Sequence, residues 1–127
     1  MKKTTLFCVL FLMLISFSCK NAPKRNCKDF KTGVFTFTSV LDGDSLTTRF
    51  VRKDSIEIDF FNNKIDTSAI RWINDCEYVL KQLHPKNKKE EKSIHIKILT
   101  TSDSSYTFEF NTVGDSKKLR GTAYKTQ

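Results

Sequence analysis

Ile65-Asp66-Thr67-Ser68-Ala69-Ile70-Arg71-Trp72-Ile73-Asn74-Asp75-Cys76-Glu77-Tyr78-Val79-Leu80-Lys81-Gln82-Leu83 reads in two ways, and the fold turns on which one holds. Ala69, Trp72, Ile73, Cys76, Val79, Leu80 and Leu83 fall at steps of three and four, which is a helix face. Asp66, Thr67 or Ser68 would cap that helix. The strand reading breaks the segment at Asn74-Asp75 into 65–73 and 76–82. It puts Cys76, Tyr78 and Leu80 on one face and Glu77 and Lys81 on the other. Periodicity alone favours the helix. The β-favouring residues Ile70, Trp72, Ile73, Tyr78 and Val79 favour strands, as does a chain built of hairpins on either side. Strands are the reading adopted.

The flanks alternate with period two. Val34-Phe35-Thr36-Phe37-Thr38 alternates phenylalanine with threonine, and Asp42-Gly43 suits a type I′ hairpin turn, which needs positive φ at both central residues. Leu46 to Arg52 follows, then a turn near Lys53-Asp54. Ser55-Ile56-Glu57-Ile58-Asp59-Phe60 is the cleanest strand, with Ile56, Ile58 and Phe60 expected inward and Glu57 and Asp59 outward. Asn62-Asn63 offers a second turn, because both residues tolerate the left-handed region. Ile94, Ile96 and Ile98 share one face and His95 the other. Tyr106, Phe108 and Phe110 share a face beyond a polar turn at Thr101 to Ser105. Gly114-Asp115-Ser116 turns the chain into a last strand, Leu119 to Lys125, where Gly121 marks a bend or a close approach. The sum is an all-β fold of about eight antiparallel strands in an up-and-down meander. Such a meander closes most simply into a small barrel or strongly curved sheet that hides its edges.

The first residues suggest an address. Lys2 and Lys3 precede an apolar run, Leu6 to Phe17, and Ser18-Cys19 follows it. That order is a secretory leader, and twelve residues are too few to cross a bilayer core of roughly 30 Å. Ile15-Ser16-Phe17-Ser18-Cys19 resembles a bacterial lipobox, with Ser16 where Leu is usual. The implied division is a leader at 1–18, a tether at 19–26 and one β-domain at 27–127, with Cys19 lipidated and anchoring the chain in a membrane. Lys20, where an Asp would retain the protein at the inner membrane, favours the outer membrane. Residues 20–26 carry no acidic cluster of the kind some surface-exported lipoproteins have, which favours its periplasmic face.

Of the four cysteines, Cys8 leaves with the leader and Cys19 takes the lipid. Cys27 and Cys76 remain, an even pair in an oxidising compartment, and a disulfide is the natural reading. A loop of that length would contribute roughly 3–4 kcal/mol. Two buried thiols or two ligands of a metal site are the competing readings, although no C-x-x-C is present. The chain's net charge of +8 falls by two with Lys2 and Lys3. An exported protein rarely meets nucleic acid, so the surplus serves solubility or contact with anionic lipid or glycan.

Catalytic chemistry finds no foothold in the pattern. His84 lies in the polar stretch His84 to Lys92, and neither it nor His95 has a nucleophile or carboxylate at motif spacing. Asp42 and Asp44 flank a turn glycine, and no calcium-loop ligand set follows. Lys86, Lys88, Lys89 and Lys92 are interrupted by Glu90 and Glu91, which reads as a charged solvated loop. The aromatic set Phe35, Phe37, Phe50, Phe60, Tyr106, Phe108 and Phe110 is heavy for a small domain, and forms either a core or the lining of an apolar pocket. No catalytic residue, metal ligand or cofactor is assigned.

Cys27-Lys28-Asp29-Phe30-Lys31-Thr32-Gly33-Val34-Phe35, a later Arg52 and Ile56-Glu57, and Arg71-Trp72-Ile73-Asn74-Asp75-Cys76-Glu77-Tyr78-Val79-Leu80 together resemble a family of small uncharacterised lipoproteins of Bacteroidota. The resemblance covers most of the chain after the leader, through C-x-x-F-x-x-G-x-F and W-x-x-x-C-x-Y-x-L elements. It implies a β-rich domain in which those two cysteines pair, and it brings no established activity. Members often carry a DNA topoisomerase IV label, which a chain of this size with an export signal has no room to satisfy. The expected function is therefore a non-enzymatic, lipid-anchored envelope protein that binds a protein partner or a small apolar ligand. The alternative is a periplasmic inhibitor of a cell-wall hydrolase. C-type lysozyme inhibitors are small lipidated barrels with a disulfide, but their Ser-Gly-x-x-Tyr loop is absent here.

Overall fold

The computed structural model describes residues 24–127. The expected leader at 1–18 and the expected lipidation site at Cys19 lie outside the described residues. After a short 3-10 turn at Cys27–Phe30, eight strands follow: β1 (Gly33–Leu41), β2 (Asp44–Arg52), β3 (Ile56–Phe61), β4 (Lys64–Asn74), β5 (Glu77–Gln82), β6 (Ile94–Thr101), β7 (Ser105–Thr112) and β8 (Leu119–Lys125). Each pairs antiparallel with the next, and β8 returns to β1 through Phe35↔Lys125 and Phe37↔Ala123, closing the barrel. Closure leaves no edge strand to template aggregation. No helix among the described residues is long and apolar enough to cross a membrane.

The deciding segment is two strands. Asn74-Asp75 is the break, and Ile70↔Leu80 and Trp72↔Tyr78 face each other across it. The Asn74 side chain accepts the Cys76 N–H at 2.9 Å, which fixes the tight turn. The hairpins follow their turn residues. Asp42 and Gly43 both take positive φ (52° and 86°), as do Asn62 and Asn63 (46° and 58°), the geometry that matches strand twist.

Alternation sets the two faces on most strands as the pattern predicts. Tyr78 and Leu80, Ile96 and Ile98, and Tyr106 and Phe108 are buried on the inner face. Gly121 is a close approach: a β-carbon there would overlap the Phe37 ring and lie 3.1 Å from Phe108 Cζ.

β3 is the exception, and its faces are reversed from expectation. Glu57 is only 4% exposed and Asp59 lines the interior, whereas Ile56, Ile58 and Phe60 face outward, half-buried. The register gives the reason. Arg52 opposes Glu57 and Phe50 opposes Asp59, so these four share the inner face, while Val51 pairs with Ile58 and Arg49 with Phe60 outside. The interior holds a guanidinium on β2 and needs a carboxylate beside it, and a strand turned by one residue turns every side chain with it.

The two ends of the barrel differ. At one end the 3-10 turn lies across the opening as a floor. A disulfide joins Cys27 to Cys76, Cα atoms 5.2 Å apart, and ties that floor to the β4–β5 turn. Phe30 drops its ring between Phe35 and Tyr106, with centroids 6.4 and 5.2 Å away. Lys125 Nζ donates to Asp29 O at 2.7 Å, and Val34 N to Gln127 O at 2.8 Å. Arg25 and Asn26, the end of the segment read as a tether, are bonded to β6 through Ile98 O and Thr101 Oγ1. The opposite end, ringed by the β1–β2, β3–β4, β5–β6 and β7–β8 connections, has no such floor.

Candidate functional site

Just above the floor stands Arg52, 2% exposed. Its Nε donates to Glu57 Oε2 at 2.8 Å and its Nη1 to Phe30 O at 2.8 Å. Its Nη2 donates to the Tyr78 and Tyr106 hydroxyls at 2.6 and 3.0 Å. Aromatic rings enclose the cation, with Tyr78, Phe35 and Phe50 centroids 4.6, 5.0 and 5.4 Å from Cζ, an arrangement that stabilises a desolvated guanidinium. Burial alone would push Arg52 down, but the neighbouring Tyr78, Tyr106 and Glu57 outweigh it and hold the guanidinium above its ordinary range. Burial pushes the Tyr78 and Tyr106 hydroxyls up, against the pull of Arg52, so both stay protonated. The cluster is a fixed, fully bonded base.

Above it the barrel opens into a cavity of about 130 Å³. Phe37, Phe50, Ile96, Phe108 and Phe110 wall it, and Glu57, Asp59 and Tyr106 reach it from below and from the side. A wider mouth of about 320 Å³, lined by Asp59, Asp66, Leu80, Lys89, Glu90 and Lys92, shares Asp59 and Ile94 with the cavity. The mouth is at the lower end of the size range of small-molecule sites, roughly 300–1,000 Å³, and the cavity beside it has room for a short apolar group. Asp59 and Asp66 are cross-strand partners on the β3–β4 wall. Burial first, then the charge of Glu57 with a contribution from Asp66, pushes the Asp59 carboxyl up to about 7, with Arg52 pulling it down.

Of the seven aromatics marked for a pocket, five line the cavity: Phe37, Phe50, Tyr106, Phe108 and Phe110. Phe35 is wholly buried, stacked on Phe50 at 5.1 Å, and belongs to the packed base. Phe60 is outside, beneath Arg49 at 5.2 Å, because β3 is reversed. Cys27 and Cys76 meet as expected. His95 is on the outer face, 3.2 Å from Glu77, and neither histidine lines the cavity or its mouth. The polar stretch His84 to Lys92 is folded on itself by Asn87 Oδ1, which accepts Lys89 and Glu90 N–H at 3.0 Å each.

Sequence reasoning passed over Arg52, Glu57 and Asp59 as interior groups, and gave Tyr78 a place on the inner face without its partner. The available signal was Arg52 facing Glu57 across a tight turn, with phenylalanine beside it on β2. Neither a family model, a curated protein nor a solved structure matches the chain, so its own geometry carries the functional reading.

Proposed function

We propose that the protein is a non-enzymatic, lipid-anchored binding protein of the bacterial outer membrane that holds a small, largely apolar ligand in a one-ended barrel. The observation that carries this is the aromatic-walled cavity above the disulfide-bonded floor, adjoining the mouth at the opposite end. Small eight-stranded barrels either fill with side chains or keep room for one small ligand. This one does the first in its lower half and the second in its upper half. The first residue bonded to the barrel is Arg25, at the floor end, roughly 20–22 Å of extended chain at most from Cys19. Anchoring there turns the mouth away from the bilayer and toward the periplasm.

Titration of the mature protein with N-phenyl-1-naphthylamine tests the reading. Saturable one-to-one fluorescence enhancement is expected, and Thr48→Trp, which places an indole on the cavity wall, removes it. Enhancement that does not saturate, or that survives Thr48→Trp, overturns ligand binding in the cup. Cys19→Ser tests the anchor by moving the protein from the membrane fraction to the soluble fraction.

A second reading, docking of a protein partner, is favoured by one observation. Val40, Ile65, Leu83, Val113 and Leu119 are all about half or more exposed and lie around the open end. Such apolar clusters mark contact surfaces. Val113→Asp combined with Leu83→Asp would abolish partner capture from the envelope and leave dye binding intact.

A further inference from the structure

Building on the ligand-binding reading above, we propose that the cup selects organic ammonium compounds: a short apolar body seated among the phenylalanine rings, with a protonated amine held by Glu57, Asp59 and Asp66.

The first argument is an unused acceptor at the bottom of the cavity. Glu57 is nine-tenths and more buried, and only its Oε2 is taken, by Arg52. Among the described residues its Oε1 accepts no hydrogen bond, and no fully enclosed side-chain nitrogen or oxygen lacks a partner. That oxygen is therefore not enclosed, and Glu57 lines the cavity. A carboxylate oxygen left to solvent beside apolar walls is a ready acceptor, and a charged N–H donor satisfies it best.

The second argument is charge. Facing the cup are Arg52 from β2, Glu57 and Asp59 from β3, Asp66 from β4, Tyr78 from β5 and Tyr106 from β7, with Lys89, Glu90 and Lys92 at the outer mouth. Arg52 is consumed in the base. Neither Asp59 nor Asp66 belongs to any ion pair among the described residues, and neither Lys89 nor Lys92 reaches them. Two carboxylates of the wall thus have no cation bonded to them. Burial first, and then the charge of Glu57, raises the Asp59 carboxyl, and a ligand cation beside it would favour the ionised form in the proton's place.

The third argument is the wall itself. Phenylalanine faces attract ammonium groups more than they attract neutral isosteres. A bare metal ion suits the cup poorly, since no group of three or more His, Cys, Asp or Glu among the described residues is arranged to hold one.

Calorimetric titration of the mature protein with hexylamine, hexan-1-ol and hexanoate at pH 8.5 and pH 5.5 tests the inference. At pH 8.5 hexylammonium is expected to bind at least about tenfold more tightly than the alcohol, as a charge-assisted hydrogen bond provides, with hexanoate weakest. At pH 5.5, with Asp59 protonated, the preference shrinks by about tenfold. Asp59→Asn and Asp66→Asn, both near-isosteric, each reduce the amine-over-alcohol preference at pH 8.5. Equal binding of amine and alcohol by the wild type overturns the ammonium proposal and leaves the apolar cup standing. Absence of binding by all three, together with unsaturable dye, overturns both.

Discussion

The floor and the mouth of this barrel are built from the same residue types and behave as opposites. At the floor, one arginine meets one carboxylate, a backbone carbonyl and two phenols, with rings packed against every side. At the mouth, phenylalanines line an open cavity and two carboxylates face each other across β3 and β4 with no ion pair to either among the described residues. The lesson is that aromatic content does not decide whether a small barrel is filled. Charge balance does: a neutralised polar cluster permits close packing, whereas unbalanced carboxylates keep water or a ligand beside them.

Arg52→Met breaks the contrast most severely, because it leaves Glu57 buried without its cation. A loss of about 3–5 kcal/mol in denaturant unfolding is expected, and Arg52→Met combined with Glu57→Leu should recover most of it. Removing the disulfide with Cys27→Ser and Cys76→Ser loosens the floor without touching the mouth. It should cost about 4 kcal/mol in the loop-entropy model and leave the dye-binding stoichiometry unchanged. Gly121→Ala drives a methyl into the Phe37 ring, for an expected loss of about 1–3 kcal/mol and weaker dye binding.

Asp59→Asn has the smallest effect and the opposite sign. The folded carboxyl titrates near 7, above its ordinary 3.8. The native state therefore binds more protons than the unfolded chain between those values, and stability contributed by Asp59 falls as pH rises through that window. The amide escapes this loss. Discounted for solvent at the mouth, it should be about 1 kcal/mol more stable than wild type at pH 8 and no different near pH 4. Thermal melts across the pH range check it.

The architecture was legible because turn chemistry and period two are local properties. Asp42-Gly43, Asn62-Asn63 and Asn74-Asp75 each placed a turn, and the two cysteines placed the staple. The helical spacing of Ala69 to Leu83 misleads because Trp72, Cys76 and Leu80 satisfy both periods. What stayed hidden was the polar interior. Alternation in Ile56 to Phe60 announces a strand but not which side is inside, and charged residues are rarely buried unless paired. Glu57 and Asp59 are inside because of Arg52 on the neighbouring strand, a relation that no single strand carries. The cup inherits the same blindness, since a cavity is what several strands leave unfilled together.

The one-sided staple also gives the barrel a direction in time. Around Cys27–Cys76 the amide hydrogens of Val34 and Ile98 are bonded to Gln127 O and Cys76 O, both at 2.8 Å, beside the disulfide and the packed base. Their exchange with deuterium should report global unfolding. The amides of Val113 and Glu90 near the mouth, held by bonds of 2.9 and 3.1 Å without packing above them, should exchange through small local openings. Breathing that starts at the rim and dies out before the floor would let a guest enter and leave a barrel that never comes apart.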